Sequence, residues 1–346
     1  MTMKALINFA SEPGSVEIRN VEMPEVKPGM VMIRVRAVGV CGSDIHQWSG
    51  AVSYPVRYPV TLGHEFAGEV VEVGTGVSDW VSGDRVVCET AAFICGKCVY
   101  CRTGNYHHCP KRKGFGALID GAMAEYIVVR EGILHRIPNE LSFPEAALCE
   151  PACVAYNAVI EKIRVNPGDG VVVIGPGPIG AFCLQMAKLV TPGFLVLIGL
   201  SKDRKRMEAL DRSIGIDRMI YSDEEDPIAA LSTMGDGLGA HAVIDAIGLG
   251  ITLKQSMALV RPLGKIVKIG WDEKNPISSI DPLIAKGATL QGTFSHTWDM
   301  WERVLLLASK KKLDLATVGT CFSMDNWQSG FSKMRELDII KAVVEP

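Results

Sequence analysis

The sequence predicts an α/β protein with two parts: a β-rich lobe, then a doubly wound parallel sheet. Three observations predict it. Short Val- and Ile-rich stretches with little helical spacing fill about the first 155 residues. From about residue 170, strand-like and helix-like stretches alternate. Between the two, "VVVIGPGPIG" runs from a strand into a helix through three glycines.

The first lobe reads as the strands "ALINFA", "SVEIRNV", "MVMIRVRAV", "GEVVEVG", "DRVVCE", "AEYIVV" and "LHRIP". They are short, rich in β-branched residues and often alternating, as half-buried strands are. Gly and Pro punctuate them at "KPGM", "VGTG" and "VSGD". In the second part "GVVVIG", "FLVLIG", "DRMIYS", "HAVIDAIG" and "GKIVKIG" are strands, and "IGAFCLQMAKLV" and "KDRKRMEALDRS" have helical spacing. Strands alternating with helices imply a parallel sheet with helices on both faces. "PLIAKGATLQGTF" marks the exit from that sheet near residue 290, "WDMWERVLLLASKK" is a helix, and "DIIKAVVE" is a terminal strand.

The 346 residues suit two domains, and 48% apolar content is ample for their cores. A net charge of −3 gives no general attraction for nucleic acid or an anionic membrane. No apolar run approaches a membrane span or a secretory leader, so a soluble cytoplasmic protein is expected. In a reducing compartment, clustered cysteines bind metal more often than they form disulfides. Of the ten cysteines, Cys88, Cys149, Cys153, Cys183 and Cys321 lie in apolar stretches and read as small core residues.

The stretch Gly175, Pro176, Gly177, Pro178, Ile179, Gly180 fits the dinucleotide fingerprint G-x-G-x-x-G. Its first glycine allows the tight turn, the second lets backbone approach a pyrophosphate, and the third lets helix and strand pack closely. The helix N-terminus supplies N–H groups to the phosphates. An NAD site usually has an acidic residue at the end of the second strand. Here that strand ends on Gly199, followed by Ser201, Lys202 and Arg204. Cations opening a helix oppose its dipole unless an anion binds there. The reading therefore leans to NADP over NAD, with Asp203 within reach of the ribose and Lys205 and Arg206 on a solvated face.

Cys95, Cys98, Cys101 and Cys109 share one loop with x2 spacings, which suit a tetrahedral, closed, structural zinc. His107 and His108 beside them are expected to be exposed. A nucleic-acid finger is the rival, resting on the basic run "CPKRKG". A second group of donors is scattered. Cys41, Ser43, Asp44 and His46 lie in "VGVCGSDIH", His64 and Glu65 open an apolar strand, and Glu150 lies in "LCEPAC". Buried carboxylates need a partner or a metal. Three or four distant ligands with one open position make a catalytic zinc. The alternative is a core Cys41 with local hydrogen bonds at His64 and Glu65.

Gly63-His64-Glu65-x2-Gly68-x5-Gly74-x2-Val77, with "CGSDIH", the four-cysteine loop, "GDRV", "EP" and the glycine fingerprint in this order, resembles the medium-chain zinc-dependent alcohol dehydrogenases. "CGSD" with "CEPA" looks like the polyol branch of sorbitol, threonine and arabinitol-phosphate dehydrogenases. The resemblance implies a GroES-like catalytic domain, 1–155 with 291–346 returning to it, and a Rossmann domain, 156–290. It implies Cys41, His64 and Glu150 as ligands of a catalytic zinc. Glu65 would be an alternating ligand or stand behind the ligands, and Asp44 would orient His64. Glu150 stands where the family often has cysteine, and a harder oxygen ligand loosens the preference for zinc.

The implied reaction is reversible oxidation of a secondary alcohol to a ketone with NAD(P), the substrate a polyol or a sugar-alcohol phosphate. Ser43 would touch the substrate oxygen and His46 would pass the proton to solvent. Gln47, Trp48, Phe115 and Phe294 are candidate walls, Lys111, Arg112 and Lys113 candidate phosphate contacts, and Trp298 and Trp301 core. Other readings are an amino-alcohol dehydrogenase of threonine type, a zinc-free reductase of the same fold and a non-catalytic NADPH-binding sensor. A homo-tetramer, or a dimer, is the assembly the resemblance implies.

Overall fold

The computed structural model describes residues 1–271 and 279–346. The chain divides into two compact units. One comprises Met1–Glu150, His296–Lys310 and Gly319–Pro346, the other Pro151–Ser295 and Lys311–Val318. The second unit thus starts a few residues before the sequence-based boundary. It also keeps Lys311–Val318, where Asp314 and Gln185 exchange hydrogen bonds at 2.7 and 3.0 Å.

The first unit is organised by one long strand, Met30–Gly39, whose residues alternate towards a core that includes Val31, Ile33, Val35 and Val38. Along one side it pairs antiparallel with Glu65–Val73. Along the other it pairs first with Tyr126–Arg130 and then, at Val38 and Gly39, with Lys341–Glu345. The sheet continues outward through Arg85–Cys88 to Leu134–Arg136, and through Lys341–Glu345 to the edge strand Gly319–Ser323. A separate three-stranded sheet joins Val16–Glu22, Thr2–Asn8 and Val60–Thr61.

This register fixes where the chemistry gathers. Gly39 pairs with Glu65 on one side and Val343 on the other. The residues just past the end of one strand (Cys41), at the start of the next (His64 and Glu65) and at the start of the last (Lys341) therefore converge. Gly39 is required there, because a Cβ would run into the Glu65 carboxylate.

The second unit is a six-stranded sheet, all pairs parallel, in the order Arg218–Tyr221, Phe194–Gly199, Gly170–Ile174, Ala240–Asp245, Val260–Lys268, Thr289–Gly292. Numbered along the chain from Gly170–Ile174, that order is 3-2-1-4-5-6, the doubly wound dinucleotide-binding topology. Gly170–Ile174 is buried at every position, as a central parallel strand should be. Among the described residues no helix is long and apolar enough to cross a membrane.

Candidate active site

Cys41 caps the short helix Gly42–Trp48, which carries Ser43, Asp44, His46 and Gln47. Asp44 is fully buried and accepts from the N–H of Cys41 at 2.8 Å and of Gly63 at 3.2 Å. It therefore ties together the backbones carrying Cys41 and His64, where the sequence reading had it orienting the His64 ring. Donor atoms of Cys41, His64 and Glu65 all lie within 4.8 Å of one another. Burial opposes a charge on His64, but Cys41, by charge and hydrogen bond, then Asp44 and Glu150 push its pKa up to about 10. Glu150 is buried and hydrogen-bonded to His296 at 2.9 Å.

Cys41, Asp44, Glu65 and Glu150 thus all act by charge on one imidazole, although among the described residues the mutually close donors are Cys41, His64 and Glu65, without Glu150. Lys341, buried like Asp44, Glu65 and Glu150, is the cation facing Glu65, at 2.7 Å from Oε2 and 3.0 Å from Oε1, and it donates to the Val40 carbonyl at 2.9 Å. Burial opposes its charge, yet Glu65 first, then Cys41 and Glu150, hold it above the ordinary ammonium range. The Oε2 contact is ionic without hydrogen-bond alignment, which leaves that buried oxygen short of a hydrogen bond. Lys341 and a protonated His64 face these acidic groups, and a divalent cation would take the place of the His64 proton. Thiolate, imidazole and carboxylate together are a donor set that suits zinc. The residues present fit the metal.

Ser43 is half-buried and its carbonyl accepts from Tyr54 at 3.0 Å, while His46 is exposed. Gln47 does not line an open wall: it is buried, bonded to Asn8 at 3.0 Å and to the Gly116 carbonyl at 2.7 Å, and fixes the helix. Trp48 packs edge-on against Trp327 and Phe331, and Phe115 is buried against Phe66. These aromatics are core. Arg112 is half-buried and donates to Thr90 at 2.9 Å. Trp301 is core, but Trp298 is half exposed.

The four-cysteine loop folds on itself. Cys98 and Cys101 sulfurs are 3.5 Å apart, Cys95 and Cys101 sulfurs 3.9 Å. A disulfide needs ~2.05 Å. Zinc–sulfur bonds of ~2.3 Å in a tetrahedron require sulfur pairs about 3.8 Å apart, so the loop is shaped for the ion. Backbone N–H groups of Lys97 and Cys98 lower the Cys95 thiol to about 6. His107 is buried, contrary to expectation, and His108 is exposed. Cys88, Cys149, Cys153 and Cys183 are buried as expected, but Cys321 is exposed on an edge strand.

In the glycine loop, Gly175 holds φ at +106°, a region closed to most side chains. A Cβ on Gly180 would strike the Gly175 carbonyl, and one on Gly177 would meet nothing. Gly177 caps the helix Pro178–Leu189, with Pro178 at its first position, where it costs no hydrogen bond. At the tip of the second strand, Ser201 donates to Asp223 through its N–H at 2.7 Å and its hydroxyl at 2.5 Å. Arg204 pairs with Glu224 at 2.9 Å and lies 4.0 Å over the Tyr221 ring. Asp203 is buried, accepts from the Leu200 N–H at 3.0 Å and pairs with Arg206, which is buried as well. Arg206 is therefore not on the solvated face expected of it, and the Asp203 carboxylate, expected within reach of the ribose, is engaged by Leu200 and Arg206.

A doubly wound sheet with a glycine-lined helix N-terminus, together with two sets of metal-ligating donors, defines a metal-dependent oxidoreductase. The comparisons agree. The chain matches the alcohol dehydrogenase GroES-like domain over residues 27–139 and the zinc-binding dehydrogenase family over residues 178–310. It is 38% identical to a sorbitol dehydrogenase of Halalkalibacterium halodurans, covering 99% of both chains. It is 33% identical to a D-arabitol-phosphate dehydrogenase of Enterococcus avium, over 99% of this chain and 97% of the other. A solved 2R,3R-butanediol dehydrogenase from Bacillus subtilis superposes with a TM-score of 0.88 at 29% identity, covering 99% of each. The chain belongs to the zinc-dependent medium-chain alcohol and polyol dehydrogenases. It is an oxidoreductase acting on a small-molecule alcohol.

Proposed function

We propose that this enzyme oxidises a secondary alcohol flanked by a second hydroxyl, in a polyol or a sugar-alcohol phosphate, to the ketone, with NAD(P) as hydride acceptor. The observation that carries it is the convergence of the Cys41, His64 and Glu65 donors within 4.8 Å, Glu65 buried and the other two half-buried. The three relatives named above act, by name, on sorbitol, arabitol phosphate and butanediol, all alcohols with neighbouring hydroxyls.

Cys41, His64 and Glu150 would hold the catalytic metal, and Glu65, whose oxygen lies in the cluster with Cys41 and His64 and which Lys341 faces, would alternate with Glu150. A divalent ion there supplies Lewis acidity to the substrate oxygen. Ser43, two residues from Cys41, would relay the proton, accepting that of the substrate hydroxyl as it passes its own towards His46. Exposed His46, one helical turn on, delivers it to water. Cys95, Cys98, Cys101 and Cys109 would hold a second, structural zinc.

A spectrophotometric screen of polyols, polyol phosphates and amino alcohols with both coenzymes, on protein of measured metal content, tests this reading. Turnover of none of the first two classes would overturn it. His46→Ala should lower turnover ~10²-fold, since water replaces a relay only partly, with metal content unchanged. Metal loss would instead put His46 among the ligands.

Both coenzymes should be accepted, with NADP favoured. Lys202 and Arg204 attract a 2′-phosphate. The Arg204–Glu224 pair is half exposed and easily exchanged for it. Asp223 limits the preference, its carboxyl held below the usual range chiefly by the Ser201 hydroxyl and N–H. Asp223→Asn should therefore raise the NADP-to-NAD ratio of kcat/KM roughly threefold to fivefold, and Arg204→Ala should lower it. Equal ratios in all three proteins would remove this loop from coenzyme selection.

A further inference from the structure

His296 Nε2 lies 2.9 Å from Glu150 Oε1, and Trp301 Nε1 lies 2.9 Å from His296 Nδ1. All three side chains are buried. An indole N–H can only donate. His296 Nδ1 must therefore accept, which places the imidazole proton on Nε2, and Nε2–H donates to the carboxylate. The donors run one way, from Trp301 through His296 to Glu150.

Packing fixes the same geometry. Trp301 meets His296 edge to face at 5.3 Å and 89°, and it stacks on His135 at 5.3 Å and 13°. Ser295, immediately before His296, has φ of +53°. A non-glycine residue holds that conformation only where its surroundings over-determine it.

We propose that His296 and Trp301 are positioning residues for the metal. Trp301 sets the His296 tautomer, and His296 engages Glu150 Oε1, which leaves Oε2 as the oxygen free for the cation. A carboxylate hydrogen-bonded at one oxygen is restrained from swinging, so its orientation is set before the metal arrives. Hydrogen-bond partners of metal ligands typically govern metal affinity 10–100-fold. The inference rests on Glu150 being a ligand of the catalytic metal.

The test is metal retention. Zinc-loaded full-length protein is analysed for zinc per chain, and zinc release to a colorimetric chelator is timed. The four-cysteine loop serves as an internal reference within each protein. Wild type should hold two zinc ions per chain. His296→Phe, which keeps the ring against Trp301, should release one of them ~10–100-fold faster and keep the other. His296→Gln, whose amide can donate to Glu150 and accept from Trp301, should release zinc within about threefold of wild type. Trp301→Phe should fall between wild type and His296→Phe. Wild-type release rates in His296→Phe would overturn the proposal. So would a His296→Gln protein as leaky as His296→Phe, which would mean that ring packing, not the hydrogen bond, matters. Wild-type rates in Trp301→Phe would overturn the tautomer step. If wild type itself holds one zinc, at the cysteine loop, the metal-site reading fails and not the positioning role alone.

Discussion

Lys341→Met should lower the unfolding free energy by about 3–5 kcal/mol, read from the urea midpoint at unchanged m-value. The methionine fills nearly the same volume, so packing is not the cause. The lysine ammonium sits fully inside the first unit, donating to Glu65 and to the Val40 carbonyl. Without it the Glu65 carboxylate stays buried near Glu150 and Cys41 with no ammonium facing it, and the neighbouring His64 is already shared with Cys41. The carboxylate must remain charged at high cost or take up a proton, which caps the loss. Removing one partner of a buried pair is far costlier than replacing both. Lys341→Met with Glu65→Gln should therefore recover a large part of the loss. If the double variant is as unstable as the sum of the two single ones, the pair is not coupled and Lys341 acts through Val40 alone.

Lys341 also shows what the sequence could and could not disclose. The donor types of the site were legible: a thiol, an imidazole and carboxylates in apolar strands need partners or a metal. So were the strands that carry them, because alternation and glycine punctuation are local properties. The contacts that hold them are not local. Glu65 and Lys341 are 276 residues apart, Glu150 and His296 146 residues apart. A lone lysine in "IIKAVVE" was a faint signal that something buried must face it, and His296 in "TFSHTW" gave none. Burial of polar side chains was the weakest inference. Arg206 and His107 read as surface groups and Gln47 as a cleft wall, yet each is buried, Arg206 because Asp203 lies one helical turn before it. The exposed Cys321 erred the other way, since a strand at a sheet edge has one unpaired side.

Stripping metal from the four-cysteine loop should open that loop and leave the nucleotide-binding unit intact. Between Cys95 and Cys109 only His107 and Cys109 are buried, too little apolar surface to hold fifteen residues in place. What draws them together is four sulfurs within 4.8 Å of one another, Cys98 and Cys95 lying 3.5 and 3.9 Å from Cys101. Structural zinc sites contribute about 10–16 kcal/mol of apparent binding energy in small domains, so losing the ion removes the main constraint on the loop. Lys97 and Arg102 are exposed within it and offer tryptic bonds that the bound ion should protect. Chelator-treated protein, and Cys98→Ser as purified, should be cut there at least ~10-fold faster than the zinc-loaded chain, while peptides from 170–245 survive. Added zinc should restore protection in the chelated wild type and not in Cys98→Ser. Equal cleavage with and without metal would mean that the loop is held by its own hydrogen bonds, and the clip would lose its structural role.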